Sequence, residues 1–201
     1  MQHFWIRFFD VLLSLIGILI FSPLLLILAI IILADSGWPV FFLQERVGKD
    51  NRDFRLWKFR TMKLSVGNSS QLTIGNSDSR ITRSGFFLRK YKLDELPQLF
   101  NVLSGTMSLV GPRPEVRKFV ELYTEEQREI LRIRPGITDL ASIAYSDENE
   151  RLGRVSNPQE YYIREIMPDK INLNLDFLKN YTLRNYFRII GKTIWKICRL
   201  T

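Results

Sequence analysis

The N-terminal part of the chain is dominated by one uninterrupted apolar run. Val11–Ala34 holds 24 residues without a charged side chain, between Asp10 and Asp35. As a single helix this run would measure about 36 Å at ~1.5 Å per residue, which is enough to cross a bilayer. Ser22-Pro23 lies near its centre, where the proline removes a backbone donor and predicts a kink. The residues alone favour a kinked single span over a re-entrant hairpin in which Ser22 would hydrogen-bond the freed backbone.

Shorter apolar patterns predict an α+β region over residues 36–182. Alternation over Phe54–Phe59 is typical of a short strand, and apolar spacing that begins at Asp94 and stops before Gly105 predicts a helix. Asn, Ser and Gly dominate residues 64–80 and predict a surface loop. The other predicted elements are an extended segment at 38–42 and helices at 115–133 and 158–167.

The last segment, residues 183–201, has the pattern of a basic amphipathic helix. Apolar side chains recur at helical spacing along one side, and basic side chains occupy the other. The apolar positions are Phe187, Ile190, Ile194 and Ile197, and the basic positions are Arg184, Arg188, Lys192, Lys196 and Arg199. Such a helix suits the headgroup region of an anionic membrane, and it suits packing against a domain equally well.

Charge and rare residue types limit the chemistry. The formal net charge is +8, and residues 1–35 carry only Arg7 against two acids, so the remainder is the more basic part. Such a domain attracts phosphates or an anionic surface. Cys198 and His3 are single representatives of their types, which excludes an intramolecular disulfide and the usual zinc ligand sets. A metal ion would have to be held by carboxylates, which points to magnesium, manganese or calcium.

Two short segments carry candidate chemistry. The adjacent carboxylates of Asp94 and Glu95 can share a divalent cation or divide the roles of nucleophile and metal ligand. The simpler interpretation of Asp94 is a helix N-cap, with Pro97 tolerated in the first turn. In Gly111–Pro114 two prolines stiffen the backbone around Arg113, which suits a phosphate contact or, equally, a rigid turn with a solvated arginine.

The order of several short blocks carries more information than any one of them. The blocks are Phe42–Gly48, Trp57–Met62, Ile81–Arg83, Leu88–Tyr91, Leu93–Val102, Met107–Pro114 and Arg134–Thr138. Together with the apolar segment broken by Ser-Pro, they cover most of residues 5–140. In this order the chain resembles the bacterial sugar transferase family, the monotopic phosphoglycosyl transferases that start the assembly of cell-surface glycans.

The resemblance implies a helix-dominated α+β domain seated on the cytoplasmic face of the bacterial inner membrane. Residues 1–35 would form a re-entrant helix that turns at Ser22-Pro23, which replaces the preference for a single span. Sugar-1-phosphate would pass from a UDP-sugar to undecaprenyl phosphate, with release of UMP, as the first membrane step of capsule, O-antigen, exopolysaccharide or glycoprotein glycan synthesis.

The resemblance also assigns roles to individual residues. Asp94 would be the nucleophile and Glu95 its catalytic partner, with Mg²⁺ required and both carboxylates as its ligands. The residues expected to contact substrate phosphates are Arg113, Arg89, Lys58, Arg60 and Arg46. Those expected in a nucleotide-sugar loop are Arg134, Pro135, Gly136 and Thr138.

Two positions depart from the family pattern, and two other functions fit the charge. Asp139–Ser142 stands where the family often has Gly-Trp-Ala-Gln, which bears on nucleotide-sugar recognition, and Thr106 stands where it often has Asp. A membrane adaptor that binds anionic lipid would leave the pairing of two acids with Arg113 unexplained. A nucleic-acid binder ranks last, because no reading helix or aromatic RNA platform is recognisable, so no nucleic-acid partner is expected. The sequence leaves the sugar, the glycan and assembly as a homodimer open.

Overall fold

A computed structural model describes residues 2–63 and 79–200. Its helices are α1 (Gln2–Ser36), α2 (Arg83–Lys90), α3 (Gln98–Ser104), α4 (Arg117–Val120), α5 (Glu125–Arg128), α6 (Leu140–Ala144), α7 (Glu148–Gly153), α8 (Pro158–Tyr161), α9 (Met167–Lys179) and α10 (Leu183–Leu200). Its strands are β1 (Phe41–Val47), β2 (Asp53–Phe59), β3 (Ser108–Val110) and β4 (Gly136–Thr138). Single turns of 3₁₀ or π helix occupy Lys49–Asn51, Leu93–Glu95, Glu129–Arg132 and Tyr162–Ile166. The loop predicted at 64–80 lies outside the described residues, apart from positions 79 and 80.

The apolar N-terminal run forms α1, a helix of 35 residues that continues through Pro23. Because Pro23 has no N–H, the carbonyl of Leu19 loses its helical partner. The Ser22 hydroxyl donates to that carbonyl over 2.8 Å and replaces the missing bond. The helix is long and apolar enough to cross a membrane, with a mean hydropathy of 3.1 over its most apolar stretch. The predicted apolar helix is therefore confirmed, and it continues through Ser22-Pro23 as one element, while the re-entrant topology stays a prediction.

The remainder of the chain packs against both ends of α1. Near the N-terminal end, the buried carboxylate of Asp10 accepts hydrogen bonds from Ser108, from the backbone of Leu109 and from Tyr186, over 2.9–3.0 Å. Near the C-terminal end, Asp35 accepts from the backbone and the hydroxyl of Ser84, over 2.9 and 2.7 Å. Polar contacts at both ends hold α1 along the domain rather than away from it.

Two small sheets lie beneath this helix. β1 and β2 form an antiparallel hairpin in which Phe41 lies opposite Phe59 and Val47 opposite Asp53. β3 and β4 pair in parallel, with Ser108 beside Gly136 and Val110 beside Thr138. Since these strands are short and the helices many, the fold is the helix-dominated α+β domain that was expected.

Several predicted boundaries were wrong. The helix predicted at 115–133 is divided into α4 and α5, because Thr124 and Gln127 form a capping box that starts a new helix. The element predicted at 158–167 continues to Lys179 through a π turn. The predicted stop before Gly105 is confirmed, with that glycine in the left-handed conformation that ends α3.

The C-terminal helix α10 packs on the domain over its first turns, and its membrane role stays a prediction. Tyr186 and Ile189 are buried in the domain, and the ring of Phe187 lies 5.0 Å from that of Phe9 on α1. Farther along, Ile194 and Trp195 stay 58% and 57% exposed. The first turns of α10 therefore pack on the domain, and the later turns present an apolar and basic surface to the surroundings.

Candidate active site

The Asp94–Glu95 pair lies in a single 3₁₀ turn between α2 and α3. Lys92 begins this turn in the left-handed conformation, with a φ of 57°. The interpretation of Asp94 as a helix cap is wrong, because α3 begins at Gln98 after Pro97 and has no side-chain cap. Asp94 is buried, yet no residue that the structure describes donates a hydrogen bond to its carboxylate. A buried carboxylate left without such a partner is a candidate for chemistry.

Glu95, by contrast, is held by two cations. Its Oε1 accepts from Lys58 Nζ over 3.5 Å and from the Arg113 guanidinium in a short ion pair. Although burial alone would raise the pKa of Glu95, the charges of Arg113 and Lys58 outweigh it and hold this pKa well below its usual range. Burial, followed by the charge of Glu95, raises the pKa of Asp94 above its usual value. The pKa of Asp94 is thus raised and that of Glu95 is lowered, as expected where two neighbouring carboxylates have different catalytic roles.

The cations of this cluster come from separate elements. Lys58 is supplied by β2, and burial lowers its pKa even though Glu95 opposes that effect. Arg113 comes from the segment after β3 and also donates to the carbonyl of Ile137 over 3.2 Å. The charges of Arg89 and Lys92 lower the pKa of Asp94, so both stand near its carboxylate. Lys92 is a cation that the sequence analysis missed, and its place two residues before Asp94 was the available signal.

Two glycines allow the Arg113 segment to approach β4. A Cβ on Gly136 would lie 2.1 Å from the backbone nitrogen of Gly111, and a Cβ on Gly111 would lie 2.4 Å from the Arg134 carbonyl. Such distances leave no room for a side chain, so only glycine fits at either position. Gly136 therefore has a structural reason to be glycine, and its part in binding a nucleotide sugar stays a prediction.

Arg46 and Arg60 have partners other than a substrate. Arg46 donates to the Pro114 carbonyl and the Glu115 carboxylate, both over 3.2 Å, and to Gln44 over 2.9 Å. Arg60 is 4% exposed and donates to the carbonyls of Ser36, Gly37 and Trp38 at the end of α1. Arg46 therefore binds the backbone of the segment that contains Arg113. Arg60 caps the C-terminal end of α1.

The residues of the predicted nucleotide-sugar loop make hydrogen bonds to several neighbouring elements. Arg134 Nε donates to the carbonyl of Gly105 over 2.8 Å, at the end of α3. The Pro135 carbonyl accepts from the backbone of Ser108, and Thr138 shares a hydrogen bond of 2.8 Å with Thr193 on α10. These contacts hold β3, α3 and α10 together, and binding of a nucleotide sugar by this segment stays a prediction.

Comparison with known proteins agrees with this geometry. The sequence matches the bacterial sugar transferase family over residues 1–200. It is 40% identical over 195 residues to UDP-N-acetylgalactosamine-undecaprenyl-phosphate N-acetylgalactosaminephosphotransferase of Aeromonas hydrophila, covering 94% of this chain and 42% of that protein. It is 39% identical over 194 residues to UDP-glucose:undecaprenyl-phosphate glucose-1-phosphate transferase of Klebsiella pneumoniae, covering 94% and 39%.

A shorter relative is covered more completely. An exopolysaccharide production protein of Rhizobium meliloti is 33% identical over 209 residues, which cover 96% of this chain and 84% of that protein. The chain spans about two fifths of the length of the Aeromonas and Klebsiella proteins. Because the family match extends over nearly every residue, the resemblance found in the sequence is confirmed, and the chain belongs to the bacterial sugar transferase family.

Proposed function

We propose that this chain transfers a sugar-1-phosphate from a UDP-sugar to undecaprenyl phosphate and releases UMP. The observation that carries the proposal is the contrast between two neighbouring carboxylates. Asp94 has no hydrogen-bond donor among the described residues, whereas Glu95 is bound by Lys58 and Arg113. The printed names of the Aeromonas and Klebsiella relatives, both undecaprenyl-phosphate sugar phosphotransferases, support the same reaction class.

The reaction proceeds in two displacements at the phosphorus that bears the sugar. A carboxylate oxygen of Asp94 attacks this phosphorus, and the bond to the bridging oxygen breaks, so that UMP leaves with the electron pair. An oxygen of undecaprenyl phosphate then attacks the same phosphorus and releases the Asp94 carboxylate. Arg113 and Lys58, which both pair with Glu95, would stabilise the negative charge that develops on the phosphoryl oxygens.

Magnesium fits the donor set of this site. Among residues 2–63 and 79–200, no three His, Cys, Asp or Glu side chains converge as a complete metal cage. Mg²⁺ commonly binds through one or two protein carboxylates together with substrate phosphates and water. Asp94 and Glu95 would hold it, and the bound ion would offset the charge of the diphosphate.

The contacts of α1 favour a monotopic arrangement at the inner membrane. A domain in water cannot contact both ends of a helix that crosses a bilayer, because those ends lie on opposite sides. Asp10 and Asp35 both hydrogen-bond to the domain, so we place the N-terminus and the domain on the cytoplasmic side. A cysteine at Gln2, in a Cys198→Ser background, should resist membrane-impermeant labelling in intact cells. Labelling from outside would restore the single span.

UMP release without an acceptor tests the reaction. Purified protein with Mg²⁺ and a panel of UDP-sugars, without lipid, should give a burst of UMP equal to the enzyme and a phosphosugar adduct on Asp94. Asp94→Asn should abolish the adduct, because a neutral amide is a poor nucleophile, and Asp147→Asn, at an exposed carboxylate, should leave it unchanged. An adduct on another residue, or UMP that appears only with lipid, would contradict the two-step mechanism.

A further inference from the structure

The Pro112–Arg113–Pro114 segment has one backbone donor. Prolines carry no N–H, so the amide of Arg113 is the single backbone N–H of these three residues. That N–H donates to Oδ2 of Asp139 over 3.1 Å. The direction of the Arg113 backbone is therefore set by one carboxylate that comes from a different part of the chain.

Asp139 is itself fixed from two sides. Its side chain is buried, at 1% exposure. Oδ1 accepts from the backbone of Ser142 and so caps α6, and Oδ2 also accepts from Asn174 Nδ2 of α9 over 2.9 Å. Because α6 and α9 both bond to this carboxylate, its position is fixed relative to these two helices. The N–H of Arg113 is fixed relative to them in turn.

The neighbouring prolines complete the attachment of this segment. The Pro112 carbonyl accepts from the backbone of Gly136 over 3.0 Å, and the Pro114 carbonyl accepts from Arg46 over 3.2 Å. Each residue of the segment thus has one backbone group tied to the scaffold. With the backbone fixed at three points, the guanidinium of Arg113 extends to Glu95 with little freedom to turn elsewhere.

We propose that Asp139 is a positioning residue, which orients Arg113 toward Glu95 and toward the donor diphosphate. The inference rests on the proposed function in one respect, that Arg113 contacts the phosphates of the donor. Asp139 touches no reacting atom and acts through the backbone of Arg113.

Hydrogen exchange of the Arg113 amide tests its hydrogen bond to Asp139 independently of activity. Two peptides with the same N-terminus that end at Gly111 and at Pro114 differ by a single exchangeable amide, that of Arg113. Asp139→Asn has one acceptor oxygen in place of two, and with that oxygen facing Arg113 and Asn174 it keeps two of the three hydrogen bonds. The Arg113 amide should then exchange as slowly as in the wild type, while the Ser142 amide, which loses the α6 cap, should exchange faster. Asp139→Ser still caps α6, but its shorter side chain cannot also reach Arg113, so this amide should exchange faster while those of α9 do not change.

UMP release then measures the consequence for the site. Asp139→Ser should lower turnover by about 10²-fold, the order expected when a catalytic group moves by ~1 Å, while Asp139→Asn stays near wild type. Thr124→Ala, which removes an unrelated helix cap, should change neither readout. Unchanged exchange in Asp139→Ser, or faster exchange with full turnover, would overturn the inference. Absence of UMP release from the wild type would refute the proposed function instead, and exchange would still test the hydrogen bond between Arg113 and Asp139.

Discussion

Replacing Asn101 by leucine tests how the carboxylate turn is joined to the β-hairpin. Asn101 lies on α3, is 3% exposed, and contacts the open edge of β2. Its Nδ2 donates to the Arg55 carbonyl over 2.8 Å, and its Oδ1 accepts from the Trp57 backbone over 2.9 Å. The side-chain amide of Asn101 thus forms the two hydrogen bonds that a neighbouring strand would form with Arg55 and Trp57, directly before Lys58.

The cost of Asn101→Leu follows from the two backbone groups that lose their partners. Each unpaired buried group costs about 1–3 kcal/mol, so the variant should lose about 2–6 kcal/mol of stability. For a chain of this size that corresponds to a fall in Tm of about 4–24 °C. Turnover should also fall, because Lys58 on β2 and Glu95 before α3 would no longer keep their relative positions.

Thermal unfolding of the purified protein in detergent measures this effect. Asn185→Leu provides the matched control, since Asn185 makes one exposed side-chain hydrogen bond to Asn180 over 2.9 Å. Its Tm should change by less than about 3 °C. An Asn101→Leu variant with the Tm of the wild type would refute the argument, because the edge of β2 would then be held by something else.

Three further outcomes are expected. Gly136→Ala should prevent stable folding, because the new Cβ would lie 2.1 Å from the Gly111 nitrogen, whereas Gly191→Ala meets nothing within 4 Å and should be tolerated; soluble yield and Tm compare them. Arg60→Met should lower Tm and leave the KM for the UDP-sugar unchanged, while Arg113→Lys should keep Tm and lose most turnover, because lysine lacks the planar fork. A peptide of residues 183–200 should bind to anionic vesicles, and charge reversal in it should weaken that binding by about 1 kcal/mol per residue, whereas unchanged binding would make α10 a packing element only. The residues to reverse are Arg188, Lys192 and Lys196.

Local patterns in the sequence predicted the elements that local physics determines. The charge-free run from Val11 predicted α1, and the hydrogen bond from Ser22 to Leu19 is the compensation that a helix with Pro23 requires. Gly105 ended α3 as predicted, because a left-handed residue is needed there. The acids at Asp94 and Glu95 were found from their adjacency alone.

Features that depend on long-range contacts were not predictable in the same way. The capping interpretation of Asp94 was wrong because a 3₁₀ turn, and not α3, begins at that point. Asp139 was noticed as a departure from the family pattern, but its bond to the Arg113 backbone joins segments 26 residues apart. Asn101 lies within Leu93–Val102, and no neighbouring residue in the sequence indicated β2 as its partner.

The basic side chains show most clearly where sequence reasoning stops. A guanidinium satisfies carbonyl oxygens as readily as phosphates, so residue type cannot distinguish a structural arginine from a binding one. In the structure, Arg7 and Arg60 donate to carbonyls at the ends of α3 and α1, whereas Arg113 and Lys58 meet a carboxylate. The first pair still adds to the positive field of the domain, and the second pair is the one that we propose contacts the donor phosphates. The net charge of the domain therefore bears on the rate of encounter, and the few cations around Glu95 bear on the chemistry.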